Sequence, residues 1–471
     1  MSDFSPSYCE ITKAVLTPYG AENAVSHDIS TIIGAWHVEH GIGSVSLSGS
    51  ITVLDNEGLL EGLPLRGEES LELEFLCADL QTKREIKAQV HKINDVAASN
   101  TNKGTTYTIH WISSQSWAGF KRSVLKAFRD KKISTMCKEV FEQYISRLVD
   151  YSPSRVETYP EGTQVWSLQG NRERKFILQD TEGNTNVIIP DYMPTEAIGF
   201  LLKRAHSNTN SSSSSWRFFE RWDGFYCVSD EWLYERGISA SQRRTSQFNY
   251  SAQVDMDPEN AEEQVRSFSS FKNSERSNPA QSLVNGAYRN TIIEVDLLKH
   301  HARRYNYGYN DSRQGTQFTD VTGNKSSWAT DIHTQQYAND TFTDENAKQY
   351  MMIRDYRDFA NSISFPEDKH FRDIIARRVM YNHHMHSTAV TATTDGRLDV
   401  GAGDVINVRI RELNQGSNQI EDNPQLSGKY LVTHVVNQCT EDQLTTTLSL
   451  YKFGWAGAGS DTRSGRMGGQ G

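Results

Sequence analysis

The sequence predicts a multidomain, mainly β protein with α+β material, in which two regions of antiparallel strands flank a mixed α/β stretch. Three observations predict it. Residues 45 to 112 and 405 to 450 both alternate apolar and polar side chains with a period of two, the spacing of strands with one buried face. Between them, apolar residues recur at steps of three and four, the spacing of amphipathic helices. The chain has 471 residues and 10% aromatics, enough for roughly three domains at about 150 residues each and too many rings for disorder.

The first strand signal follows Gly43, where Val45, Leu47, Ile51 and Val53 alternate with Ser46, Ser48, Ser50 and Thr52, and Gly49 falls in the oily row. Leu71, Leu73, Phe75 and Cys77 then alternate with Glu72 and Glu74; Ile86, Ala88 and Val90 with Lys87, Gln89 and His91; Tyr107, Ile109 and Trp111 with Thr106, Thr108 and His110. Four such strands in about 120 residues read as an antiparallel barrel or sandwich, with Ala97–Gly104 as a hairpin loop. From Trp117 the period changes. Val124, Leu125 and Phe128, then Ile133, Met136, Cys137, Val140, Phe141 and Tyr144, predict two helices broken near Asp130-Lys-Lys132. Pro194 opens a third helix carrying Ala197, Ile198, Leu201 and Leu202. After a serine-rich connector, Trp216–Val228 reads as a hairpin turning at Asp223-Gly224. Strand-like pieces return from Gln247 to Leu298, including Thr291, Ile293 and Val295; residues 301 to 365 read as an irregular insertion, and Pro366 as a helix start. Alternation resumes in Ile406, Val408 and Ile410, in Tyr430, Val432 and Val436, and in Thr446, Leu448 and Leu450.

Composition excludes several functions. No apolar run is long enough to cross a bilayer as a helix, and the first residues carry no secretory signal pattern. The five cysteines, Cys9, Cys77, Cys137, Cys227 and Cys439, are odd in number and far apart, as expected of reduced structural thiols. A net charge of −10 argues against a large phosphate-binding surface. Each chemical motif fails on its own terms. His383-His-Met-His386 offers two imidazoles on one helical face but no third or fourth ligand. His37-Val-Glu-His40 lacks the two-residue spacer of a zinc-protease helix. Asp255-Met-Asp257-Pro-Glu259 starts like a calcium loop, but its sixth position is Asn260 and its twelfth Arg266. Gly401-Ala-Gly403 precedes a strand where a nucleotide loop precedes a helix. No catalytic, cofactor or metal site is expected.

Five phrases stand in order: Ile51–Leu71; Phe218-Phe-Glu-Arg-Trp-Asp-Gly-Phe225; Asn285-Gly-Ala-Tyr288; Leu398-Asp-Val-Gly-Ala-Gly-Asp-Val405; and Ser427–His434 with Leu444–Leu450. Together they resemble the central baseplate hub protein of contractile-tailed bacteriophages, over residues 30 to 455. The resemblance implies two tube-type β-barrels in one chain with a mixed α/β domain and an insertion. The corresponding division is 1–115, first barrel; 116–245, mixed domain; 246–300 with 385–455, second barrel; 301–384, irregular and helical insertion; 456–471, glycine-rich tail. It also implies a homotrimer, since three chains with two barrels each present a nearly sixfold face. Its partners would be the central spike, the tail tube and the wedge proteins of the baseplate.

The expected function is therefore a structural virion protein at the tail baseplate, assembled in the host cytoplasm, adapting a hexameric tube to a trimeric spike around a DNA channel. A trimer carrying three times −10 would repel DNA over about 8 Å at physiological salt, letting it slide without sticking. Ser46, Ser48, Ser50, Thr52, Glu72 and Glu74 are the expected lumen-facing or solvent strand face. The rival readings are the hub of a contractile injection or secretion system, a tail-associated cell-wall hydrolase and a carbohydrate-binding tail module. Genome neighbourhood separates the first of these and zymography the second; aromatics that alternate into strand cores argue against the third.

Overall fold

The computed structural model describes residues 7–18, 25–56, 58–62, 65–77, 82–98, 104–151, 159, 162–206, 215–234, 247–251, 266–275, 284, 289–297, 300–308, 348–353, 378, 388–414, 419–423 and 426–452. The alternating N-terminal segments form β1 (Cys9–Thr17), β2 (His27–Asp28), β3 (Ile33–Gly41), β4 (Ser48–Asp55), β5 (Ser70–Cys77), β6 (Thr82–Ala98) and β7 (Thr105–Ser113), with a one-turn helix α1 (Leu59–Gly62). They pair antiparallel in the order β3-β4-β7-β6-β5-β1, and β2 closes onto β1. Ile51, Val53, Leu71, Phe75, Ile109 and Trp111 fill the interior, all fully buried. The strand expected from Val45 begins only at Ser48: Val45 is exposed and Ser46 lies in the bend before β4. Gly49 sits in the apolar row because the Trp111 indole lies against it. A Cβ there would stand 2.3 Å from the His37 carbonyl oxygen and 2.5 Å from the indole ring. Ala97 and Ala98, read as loop, are the last residues of β6.

The middle of the chain comprises α2 (Ser114–Phe120), β8 (Val124–Lys132), α3 (Ile133–Val140) running into a π-helical turn at Phe141–Ile145, β9 (Leu148–Asp150), β10 (Thr163–Leu168), β11 (Asn171–Gln179), β12 (Asn184–Tyr192), α4 (Pro194–Leu202), β13 (Trp216–Arg221) and β14 (Gly224–Ser229). A mixed sheet runs β13-β14-β11-β10-β9, with β11 and β14 parallel. Phe141 stacks on Phe176 with ring centroids 4.2 Å apart, joining the helical layer to the sheet. The helix expected at Val124–Phe128 is instead strand β8, paired with β12. Val124 and Phe128, four apart, satisfy both periods, but Leu125 points to solvent and the ribbon with β12 decides the outcome. Ser113 caps α2 by accepting from the Ser116 backbone N–H at 3.2 Å. The third helix starts at Pro194, as its sequence predicts.

The C-terminal strands are β15 (Gln247–Ser251), β16 (Phe268–Glu275), β17 (Arg289–Asp296), β18 (His301–Gly308), β19 (Lys348–Ile353), β20 (Thr388–Asp395), β21 (Val405–Asn414), β22 (Gln419–Asp422), β23 (Gly428–Thr440) and β24 (Gln443–Lys452). Two expectations are corrected here. β17, placed with the second barrel on its Thr291-Ile293-Val295 alternation, pairs among the described residues with β18 and β19 in a separate three-stranded sheet. The described parts of the 301–365 stretch are accordingly strand rather than irregular chain. Asp255–Glu259, Asn285–Tyr288, Pro366 and His383–His386 lie outside the described residues.

The remaining strands pair in the order β16-β20-β24-β23-β21-β15, and β15 returns to the start of β16 through an Asn249–Ser267 bridge. Taken in chain order, this is the N-terminal order again: second, third, sixth, fifth, fourth, first. The one difference is the first strand, antiparallel to its neighbour in β1–β5 and parallel in β15–β21. Phe248, Phe268, Ile406, Val408, Tyr430 and Leu450 build the second interior.

The two strand sets are one sheet. His434–Thr440 of β23 pairs antiparallel with Gly41–Ala35 of β3, giving a continuous path β16-β20-β24-β23-β3-β4-β7-β6. The tip of the β23–β24 hairpin also bonds to the start of β1, Cys9 N–H donating to the Asp442 carbonyl at 3.0 Å.

The β5 register gives a direct test. Leu73 is 2% exposed, whereas Glu72 points outward to the Lys13 ammonium at 2.7 Å. Leu73→Asp buries an unpaired carboxylate and is expected to cost several kcal/mol, while Glu72→Gln changes stability by about 0.5 kcal/mol or less. Equal thermal melts for the two variants would mean that the register is wrong.

Candidate assembly interface

Two strands are long enough to change partners midway. β23 pairs with β21 over Gly428–Leu431 and with β24 from Leu431 to Thr440; its opposite edge from His434 onward carries β3. β6 pairs with β5 over Thr82–Gln89 and with β7 over Ala88–Ala98. Its opposite edge from His91 onward has no strand partner among the described residues. Among the described residues, β20 is the strand paired along β16, and an isolated bridge at Ser267 precedes its other edge. Within the repeated strand order, β6 thus stands to β16 as β23 stands to β3. The exposed backbone of β6 is accompanied by Val96, 57% exposed, at a bulge outside the β7 register. Open edges of this kind are templates for another chain.

The sheet face turned away from both interiors is small and polar. One cross-strand row reads Asp395, Thr445, Gln438, His37, Ser50, His110, Lys92, unbroken across the β23–β3 junction. Ser48, Ser50 and Thr52 lie on this face, as alternation along β4 requires. Ser46 does not belong to the strand. Glu72 and Glu74 lie off the eight-strand path, on the wall made by β1, β5 and the first half of β6. There Lys13 and Lys87 hold Glu72, and Lys83 lies 3.0 Å from Glu74. These lysines, and Thr12 for Glu74, lower both carboxyl pKa values. The face is therefore hydroxyl- and imidazole-rich, with Glu39 and Asp395 as its strand carboxylates away from the β6 bulge.

Four consecutive residues hold the two barrels to the middle domain. Because β13 alternates, Glu220 and Trp222 face the first barrel and Arg221 faces the second. The Glu220 carboxylate, fully buried, accepts from the Leu47 N–H at 3.0 Å and from the Ser113 and Ser116 hydroxyls at 2.6 and 2.7 Å. Arg174 of β11 completes it with a buried ion pair. Arg221 donates to the Ala402 carbonyl at 3.0 Å and to Asp404 at 2.8 Å, and Asp223 lies 2.8 Å away. Gly401 is required at this point, since a Cβ there would stand 2.5 Å from the Arg221 guanidinium carbon. The phrases Phe218–Phe225 and Leu398–Val405 thus meet in space. Sequence reading quoted both but gave neither a role; the available signal was a Glu-Arg pair inside an aromatic hairpin, where a charge needs a partner.

His37 and His40, three apart on a strand, point to opposite faces, so they form no chelating pair. Among the described residues, no group of three or more His, Cys, Asp or Glu side chains is arranged to hold a metal ion. The five cysteines are buried and unbridged. His40 is fully buried with neither ring nitrogen bonded, its ring 6.1 Å from Trp222. Burial, with the nearby Arg221 and His434 charges, pushes its pKa down to about 3. Among the described residues, no helix is long and apolar enough to cross a membrane.

No family model matches this sequence. No curated protein matches it either. Solved structures similar to this chain include the tail protein from Neisseria meningitidis MC58, at 8% identity and a TM-score of 0.48, covering 93% of this chain and 97% of that one. The 43 kDa tail protein of prophage MuSo2 from Shewanella oneidensis shows the same identity, TM-score and coverage. A chain of the Francisella PdpA–VgrG complex matches at 8% identity and a TM-score of 0.44, over 94% of this chain and 53% of that one.

Removing one partner of the buried pair leaves the other charged and unpaired, so Glu220→Ala is expected to cost about 3–5 kcal/mol in urea unfolding. A loss below about 1 kcal/mol, the range of an exposed pair, would contradict this role. His40 supplies a pH signature. Above about pH 6.5 it is neutral folded or unfolded and contributes no pH dependence; below that, only the unfolded chain takes up the proton. Stability is then expected to fall by about 1.4 kcal/mol per pH unit from about 6.5 down towards about 3, beyond the carboxylate contribution. In His40→Met this component of the slope should be absent; an unchanged slope would show that His40 is not the group responsible.

Proposed function

We propose that this chain is a structural virion protein, the homotrimeric hub of a contractile-tail baseplate, adapting the hexameric tail tube to the trimeric central spike around the DNA channel. The observation that carries this reading is the repeated strand order joined by the β23–β3 pairing. A junction of that kind, made once inside the chain, can be made again between chains, β6 of one copy against β16 of the next. The contact is heterologous, so it closes only if the rotation per chain divides a full turn. Three chains would set six barrels around one axis, near enough to sixfold for a hexameric tube on one side, with a true threefold axis for the spike on the other.

The polar sheet face suits the lumen of such a ring. Hydroxyl groups are wetted by water without supplying the clustered positive charge that would hold phosphate. Other baseplate proteins would dock outside, where the charged wall of β1, β5 and β6 is presented. The chemistry proposed for the chain is therefore mechanical rather than catalytic.

Association of three chains depends on concentration. Light scattering across a concentration series, with and without the co-expressed spike, is expected to rise from one chain to three and stop. Electron-microscopy class averages of the largest species should show a ring with six lobes. Val96→Pro, at the bulge outside the β7 register, should lower ring formation while leaving the monomer's melt within a few degrees, since single-site effects of about 1 kcal/mol shift Tm by only ~2–4 °C in larger domains. A stable dimer, or growth past three chains without a stop, would overturn the proposal.

A further inference from the structure

Four histidines of this acidic chain lie on or beside one sheet face. His37 on β3 and His110 on β7 occupy the same cross-strand row, separated by Ser50. His91 lies at the β6 bulge, its ring 6.3 Å from that of His110. Lys92 is the register partner of His110 and continues the row. His434, 39% exposed, projects from β23 beside the junction. None of these groups belongs to either barrel interior, and the interdomain clamp uses none of them.

We propose that this face is an acid-switched nucleic-acid surface: passive towards duplex DNA at neutral pH and retentive near pH 5. The inference rests on the reading of the face as the wall of a DNA channel and adds a regulated state to it.

The charges facing the histidines decide the sign. β3 contributes Glu39, whose carboxylate is 3.9 Å from His434. β4 contributes Ser48, Ser50, Thr52 and Leu54, none of them charged, and β24 contributes Thr445, Thr447, Ser449 and the Tyr451 phenol. β20 contributes Asp395, and β6 contributes Lys92 and, at its bulge, Asp95. Glu441 and Asp442 sit at the sheet's end in the β23–β24 turn. At neutral pH the carboxylates of this face outnumber its lysines, Lys92 and Lys272 of β16, and DNA is repelled. In acid the His91 and His110 imidazoles become cations with two N–H donors each, and with Lys92 they place a cluster of positive charge at the β6 end of the row. Burial is the main cause holding the His91 and His110 pKa values below the ordinary imidazole value, and Lys92 adds to it. Asp95 opposes this at His110. At His91 and His110 the proton therefore arrives on the acid side of about 6.5.

Phosphate neutralisation makes such binding steep in charge and in salt. The test is fluorescence anisotropy of a short labelled DNA duplex with the full chain at about 50 mM salt, at about pH 7.5 and about pH 5. The expected result is a gain in affinity of about tenfold or more on acidification, steeply lost with added salt. Combining His37→Gln, His110→Gln and His434→Gln should cut the gain to about twofold or less. His27→Gln with His301→Gln, which lie off this face, should leave the gain intact. Ser50→Asp, between His37 and His110, should suppress it without removing any imidazole and covers the case of a triple variant that does not fold. No gain in the unaltered chain, or a gain undiminished in the triple variant or in Ser50→Asp, would overturn the inference. Particle mass measured in the same samples separates the two claims. A chain that never forms a ring but shows the switch refutes the hub reading alone, and a ring without the switch refutes this inference alone.

Discussion

The pairing of His434–Thr440 with Ala35–Gly41 is the constraint on which the rest of the architecture depends. Backbone hydrogen bonds between strands set direction, spacing and register together, so a single ladder leaves little freedom in how one barrel sits against the other. β23 can make this ladder because it is long enough to leave β21 before it reaches β3. The equivalent strand, β6, is longer still and makes the same departure from β5, but among the described residues it meets no further strand. Among the described residues the edge problem is thus solved once, at the β23–β3 ladder, and left open at the second half of β6.

A ladder still permits twist, and the middle domain removes that freedom. Glu220 and Arg221 are neighbours on β13, yet strand alternation sends one to each barrel. Both are nearly dehydrated, and both are satisfied by several donors or acceptors rather than by one. Buried ion pairs are weak sources of net stability, but a misplaced one is expensive, so they specify geometry. Trp222, next in sequence, packs into the core of the first barrel, with its ring edge-on to Phe75 at 5.7 Å. Two barrels related by strand order are thereby held at one angle, which any cyclic assembly of this chain would need.

Much of this was legible in the residues. Alternation located β5, β7, β23 and β24, because a half-buried strand must repeat every two residues, and Pro194 and Asp223-Gly224 marked a helix start and a hairpin turn. The failures have physical causes. Val124 and Phe128 fit helix and strand equally, and only the partner strand β12, some sixty residues on, settles them. The β17 alternation was genuine, but periodicity says nothing about which sheet a strand joins. Ser46 was assigned to a strand that begins two residues later, because alternation does not mark where pairing starts; Glu72 and Glu74 lie on the outward side of β5, as alternation gives them. The clamp at Glu220 and Arg221 was missed for a related reason: its partners come from Ser113, Arg174 and Asp404, and only the fold brings them together.

The claim that β6 and β16 are complementary edges can be tested at the contact itself. With the native cysteines buried, Ala97→Cys on β6 and Ser270→Cys on β16 place one accessible thiol on each edge, and a short bifunctional maleimide reports whether they meet. The account predicts covalent species of two and three chains and none larger, with cross-links mapping to the two introduced residues. Chains that remain single at every concentration, or a ladder that continues beyond three, would contradict it.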